Sequence, residues 1–263
     1  MRARAAGIAA VLVLFFWSAG AAASGSLAGV TLGQSVLSVT ASLGPPDLVQ
    51  STDDGQEWRW FDARGIDIDL LADDALFVHQ VLIARPQSQG RPAPLVQPKE
   101  WALLASARGH AERTLAAAGA KREPEPERAI SAWRLGSQLL VLEFSAEAVA
   151  KILLLDDASA RRFGYLGAHA LSAYRAPRLV RQAAVEYPKG AIRDRAQGVV
   201  VVRVVVSSAG AVKDARIILS SGNADIDAAE TQSMRQSTFR PAHCDGMLCE
   251  GVFLDREDYS LDG

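Results

Sequence analysis

Residues 198–210 read GVVVVRVVVSSAG, with seven valines and one arginine in the eight positions after the opening glycine. Valine branches at Cβ, so its side chain is stiff in a helix and packs well on a pleated surface. The run therefore predicts a β-strand, closed by a hairpin turn at Ser207-Ser208-Ala209-Gly210. Period-two alternation puts Val200, Val202, Val204 and Val206 on one face and Val199, Val201, Arg203 and Val205 on the other. A strand with one wet face is polar at every second position. This one is apolar on both, so both faces need cover. The second face predicts pairing with another subunit, a homodimer.

The segments after the valine run supply a small domain. The return strand is AVKDARIILSS, with Val212, Ile217 and Leu219 among its apolar residues. Gly222 and Asn223 break it, Asp225 is a candidate N-cap, and IDAAETQSMRQS predicts one helix. A last hairpin, FRPAHCDGMLCEGVFLD, completes a two-layer strand-strand-helix-strand module.

The amino terminus points to a compartment. Arg2 and Arg4 precede an apolar run from Ala6 to Trp17, and Ala21-Ala22-Ala23 before Ser24 has the small residues of a cleavage site. Residues 1–23 are read as an export leader, with the mature chain starting at Ser24. The alternative is an uncleaved inner-membrane anchor over residues 6–23, since a span needs about 17–25 apolar residues. No cysteine follows the apolar run to carry a lipid.

Cys244 and Cys249 are the two cysteines of the chain. They flank an Asp-Gly turn in HCDGMLC, and in an oxidising compartment they are placed to bridge a hairpin. Their other use is a metal site with His243, but no fourth ligand is identified.

Between leader and carboxy-terminal module, residues 85–100 hold four prolines and read as a linker. Two similar segments flank it, 27–84 and 101–156. In the first, Val36, Val39 and Leu43 have helical spacing before Gly44-Pro45-Pro46, followed by the strand-like pieces EWRWF, IDIDLL and LFVHQVLI. The second runs in the same order through HAERTLAAAGA, SAWRL, LLVLEF and VAKILLL. A shift of 75 residues sets Gly44 on Gly119, Trp58-Arg59 on Trp133-Arg134 and Phe77 on Ile152. The fold class is thus α+β: two helix-plus-three-strand repeats, then a small β-β-α-β domain at 174–262. The tryptophans are read as core anchors, and LLADDA and LLLDDASARR as solvated turns.

Function classes narrow accordingly. Lysine and arginine number 28 against 30 acidic residues and are scattered, which argues against a nucleic-acid partner. His79, His110, His169 and His243 sit in no triad or metal spacing, and there is no nucleophile elbow or phosphate loop. The reading is a non-enzymatic chain without cofactor.

The ordered series YPKGA (187–191), Gly198-x-Val200-x-Val202-x-Val204-x-Val206, Gly210-x-Val212, Ser220-Ser221-Gly222, Ile226-Asp227, Ala229 and FRPA (239–242) resembles the TonB carboxy-terminal domain. The first repeat resembles the small outer-membrane-assembly lipoproteins, in fold alone. The TonB resemblance implies a periplasmic domain of Gram-negative bacteria that binds the TonB box, a short extended segment of outer-membrane receptors, in energy-coupled transport. It implies that Glu186, Tyr187 and Pro188 and the last strand, with Gly251, Val252, Phe253 and Leu254, border the peptide site. Two features depart from that family. Glu186 stands where glutamine is frequent, and the proline segment reaches only about 45 Å even if fully extended. A soluble periplasmic scaffold in envelope assembly, without motor coupling, is the alternative.

Overall fold

The computed structural model describes residues 25–63, 65–85, 103–104, 106–124, 129–167 and 173–261. The leader read at 1–23 and residues 86–100 of the linker lie outside them. Among the described residues no helix is long and apolar enough to cross a membrane.

The chain opens with a short hairpin, β1 (Ser26–Leu27) and β2 (Val30–Thr31), then α1 (Val36–Leu43). Next come β3 (Leu48–Thr52), β4 (Gly55–Ala63), β5 (Ile66–Ala72) and β6 (Val78–Ala84). After α2 (Arg108–Ala117) follow β7 (Lys121–Arg122), β8 (Ile130–Leu135), β9 (Gln138–Ser145), β10 (Ala148–Leu155) and α3 (Asp157–Arg162). These eight strands, β3 to β10, form one antiparallel sheet in the order β3-β4-β5-β6-β10-β9-β8-β7, joined at its centre where Ile83 pairs with Ile152.

Each of α1 and α2 leads into four strands rather than three. The chain after each closing glycine, Gly44 or Gly119, pairs once before the tryptophan strand, as β3 or β7. The match of Phe77 with Ile152 does not hold. Phe77 bridges Ser35 ahead of α1, as Ala148 bridges Ala107 ahead of α2. The offset changes along the chain because β4 runs nine residues with a bulge after Trp60, whereas β8 runs six. Trp58, Trp60 and Trp133 are buried with Val36, Val39, Ala111 and Leu115 of the two helices. The LLLDDASARR segment is not a solvated turn: Asp156 accepts from the Ser159 amide at 2.7 Å and caps α3, which covers part of the opposite face.

The carboxy-terminal part holds β11 (Arg178–Arg181), α4 (Lys189–Arg193), β12 (Gly198–Val206), β13 (Val212–Leu219) and α5 (Ala224–Gln236), then β14 (Thr238–Arg240), β15 (Ala242–Cys244), β16 (Met247–Cys249) and β17 (Gly251–Tyr259). Its main sheet is β13-β12-β17, all antiparallel. Val200, Val202, Val204 and Val206 are buried with Ile226 and Met234 of α5. Asn223, not Asp225, caps that helix, accepting from the Asp225 and Ile226 amides. Asp225 falls in the first turn, where its charge complements the helix dipole. Gly210 closes the β12–β13 turn at φ 82°, and a Cβ there would lie 2.7 Å from the Phe239 carbonyl oxygen.

The second face of the valine strand also meets its own chain. Val201, with Val252 and Leu254 of β17, is buried in the cluster that holds Val49 and Trp58 of the first sheet. The surface expected to join another subunit is therefore filled from within.

Candidate functional site

An extended peptide can join a sheet only where a strand has an open side. β17 pairs with β12 along its whole length, from Gly198 opposite Tyr259 to Val206 opposite Gly251, and among the described residues no strand pairs with its other side. The direction of its amides follows from the Leu254 N–H, which points away from β12 and donates to Ser51 Oγ at 2.8 Å. Period-two alternation then turns the main-chain groups of Val252, Arg256 and Asp258 to the same outer side.

The expected site residues fall into two groups at opposite ends of this strand, about 26 Å apart at 3.3 Å per residue. At one end the Tyr187 ring meets the Tyr259 ring edge to face, 5.2 Å between centroids, and its hydroxyl donates to the Ala196 carbonyl. Pro188 caps α4, and Glu186 is exposed. At the other end a Cβ on Gly251 would come within 2.8 Å of Ala242, Pro177 and the Tyr174 hydroxyl. Val252 and Leu254 are buried, and Phe253 turns to the other face against Phe239 at 5.2 Å.

Sequence reasoning missed the residues that join these ends. Glu230 of α5 is fully buried and accepts from the Tyr259 hydroxyl at 2.8 Å. Its second carboxylate oxygen is buried with no hydrogen-bond partner among the described residues, and the carboxyl of Asp255 on β17 is pushed up to about 7, first by burial and then by Glu230 and Glu257. Burial also raises Glu257, and burial with the Glu230 bond raises Tyr259. A signal for Glu230 existed. It lies four residues from both Ile226 and Met234, on the helix stripe that faces the sheet.

Ser51 and Gln56, on β3 and β4, touch the Val252–Leu254 end. Ser51 accepts from the Leu254 amide and donates to Gln56 Oε1 at 2.6 Å. Gln56 Nε2 donates to the Val252 carbonyl at 3.3 Å and to Asp74 Oδ1 at 2.8 Å. Arg203, on the same side of β12, reaches the Asp74 carbonyl at 3.4 Å. Arg256 donates to the Pro46 carbonyl at 2.8 Å.

Cys244 and Cys249 form a disulfide across β15 and β16, so their thiols do not serve a metal with His243. Asp245 and Gly246 both take positive φ, as a two-residue hairpin turn requires. Replacing both cysteines with serine is expected to cost at most about 2 kcal/mol, because the closed loop is short. Urea unfolding of the double variant measures it. His79, read as a surface or turn residue, lies within β6 with Nδ1 3.0 Å from the buried Ser159 hydroxyl. Among the described residues no group of acidic, histidine and cysteine side chains is arranged to hold a metal.

Comparison with known proteins places part of this architecture. Residues 183–248 match the family described as Gram-negative bacterial TonB protein C-terminal, a match that ends before β17. No curated protein matches the chain. Among solved structures, a cysteine-rich secretory protein from Staphylococcus aureus aligns at 10% identity and TM-score 0.36, over 55% of this chain and 49% of its own. An extracellular protein containing a SCP domain from Bacillus anthracis aligns at 11% identity and TM-score 0.34, over 50% of this chain and 46% of its own. The chain thus spans about half the length of these two structures. Likeness at that level carries no functional argument.

Proposed function

Because residues 183–248 form a TonB-type carboxy-terminal domain, we propose that this is a cell-envelope protein that binds an extended peptide by adding it to the outer side of β17. The observation that carries the reading is the open side of that strand. Main-chain hydrogen bonds to an added strand supply affinity with little demand on peptide sequence. The Arg256–Tyr259 half is the entry, with Tyr187 and Pro188 fixing its end. The partner is a periplasmic segment of an outer-membrane receptor, of the TonB-box kind, and the process is energy-coupled transport.

A second reading has its own support. An eight-stranded sheet occupies the chain ahead of the domain. We read its halves, α1 to β6 and α2 to β10, as copies of one unit. A folded body in that position suits a periplasmic scaffold of envelope assembly that presents the same peptide edge.

Titration of the full chain with a synthetic TonB-box peptide tests the binding. Amide resonances of Arg256 and Asp258 are expected to shift and saturate, and Tyr187→Ala to weaken binding about tenfold, 1.4 kcal/mol. Saturating peptide that leaves those amides unmoved would overturn strand addition. Motor coupling is tested separately, by crosslinking of the chain to inner-membrane motor proteins in cells.

A further inference from the structure

The two halves of the β17 edge are not equivalent. A strand added in parallel contacts its neighbour one residue at a time. Its N–H donates to the carbonyl just before the facing residue, and its C=O accepts from the amide just after. For the site facing Phe253 those groups are the Val252 carbonyl and the Leu254 amide. Both are already engaged, by Gln56 Nε2 and Ser51 Oγ. The pair is internally bonded, Ser51 hydroxyl to Gln56 Oε1, and the remaining Gln56 hydrogen goes to Asp74. Two side chains thus reproduce one residue of an added strand, in a fully connected network of a kind that favours a single arrangement.

The network also sits on buried apolar surface. Val252 and Leu254 pack with Val201 and Val49 directly beneath it, and Gln56 is only 2% exposed. A peptide cannot reach these two main-chain groups while the β3–β4 hairpin stays seated. By contrast, among the described residues nothing accepts from the outward amides of Arg256 and Asp258, although the Arg256 side chain is held at Pro46.

We infer that Ser51 and Gln56 are a built-in competitor for the peptide: the first sheet occupies half of the edge and must let go before a peptide can pair along all of β17. The inference rests on strand addition at β17 as proposed above. Peptide binding and release of the β3–β4 hairpin are then one coupled equilibrium, and the apparent dissociation constant is the intrinsic value divided by the released fraction. A folded module that seals its own receptor-binding edge carries a switch, thrown by the peptide itself or by whatever displaces the hairpin.

The test compares the full chain with the Ser51→Ala/Gln56→Leu variant, using a synthetic TonB-box peptide and NMR. The variant is expected to bind about tenfold tighter, as it would if the edge were released about a tenth of the time in the native chain. The Leu254 amide should become protected from exchange on binding. In the unaltered chain, saturating peptide should shift the Gln56 side-chain amide resonances, a readout that needs no variant. Equal affinities, with the Gln56 resonances unmoved at saturation, would overturn the competition and leave strand addition standing. If neither protein binds, although Leu254 exchanges faster in the variant and its edge is therefore open, strand addition itself falls. Ser51→Ala alone, which removes one hydroxyl, repeats the comparison should the double variant fold poorly.

Discussion

Val201→Asp is expected to lower the free energy of unfolding by about 3 kcal/mol, because it buries a carboxylate between two sheets where the one basic group opposite, Arg256, is already engaged at Pro46. Val201 is fully buried, on the central strand, against Val49, Val252 and Leu254. To receive the charge, Arg256 must give up its bond to the Pro46 carbonyl, or the sheets must part or the strand must leave its place. Val205→Asp offers the control. It lies on the same face of β12, one pair beyond Arg203, but is only half-buried. That change is expected to cost about 1 kcal/mol or less. Guanidinium unfolding of the two variants separates the explanations of the valine run. A face left open for another subunit would tolerate aspartate at both positions in the monomer, whereas a face filled from within rejects it at Val201 only.

The contrast shows which parts of the fold the sequence exposes. Alternation along Gly198–Val206 predicts correctly which valines meet α5, because the register of a strand follows from its own residues. What covers the opposite face does not follow. The cover is β3, about 150 residues earlier in the chain, and no local pattern names a partner at that separation. The end of α1 at Gly44 and the Asp245-Gly246 turn were equally legible, since each depends on a positive φ that glycine adopts without strain. The helix start was misplaced by two residues because Asn223 and Asp225 can both cap, and only geometry decides between them. Tyr187, Pro188 and β17 were named for the candidate site through resemblance. Their separation by a strand length was not, since a motif carries no distances. Ser51 and Gln56 are beyond any reading of sequence. A serine and a glutamine in a polar hairpin become strand mimics only when the other sheet arrives.

Asp255→Asn is expected to stabilise the protein above pH 7 and to remove most of one pH-dependent transition. In the folded state the Asp255 carboxyl titrates near 7 instead of 3.8, because it is buried and faces Glu230 and then Glu257. Between those two values the folded protein holds a proton that the unfolded chain releases. Stability from this group is therefore fully present below about pH 4, falls as pH rises, and is lost by about pH 7. The distance between those two values sets the upper bound of the loss at about 4 kcal/mol, and relaxation of the half-open site reduces it. Glu230 Oε1 and Asp255 Oδ2 are buried with no hydrogen-bond partner among the described residues, and a hydrogen held between the two carboxyls would satisfy both. Asparagine keeps a donor toward Glu230 at every pH and removes the charge, so the gain should be about 2–4 kcal/mol at pH 8 and near zero at pH 4. Thermal unfolding of both proteins from pH 4 to 8 measures the difference. Glu257, raised in the same direction by burial and Glu230, leaves a smaller residual slope in the variant. Parallel curves would mean that no hydrogen is shared with Glu230 and that Asp255 carries its charge in the folded protein across this range. The strand to which peptide addition is proposed would then carry that charge, and peptide affinity would depend on salt far more than main-chain pairing requires.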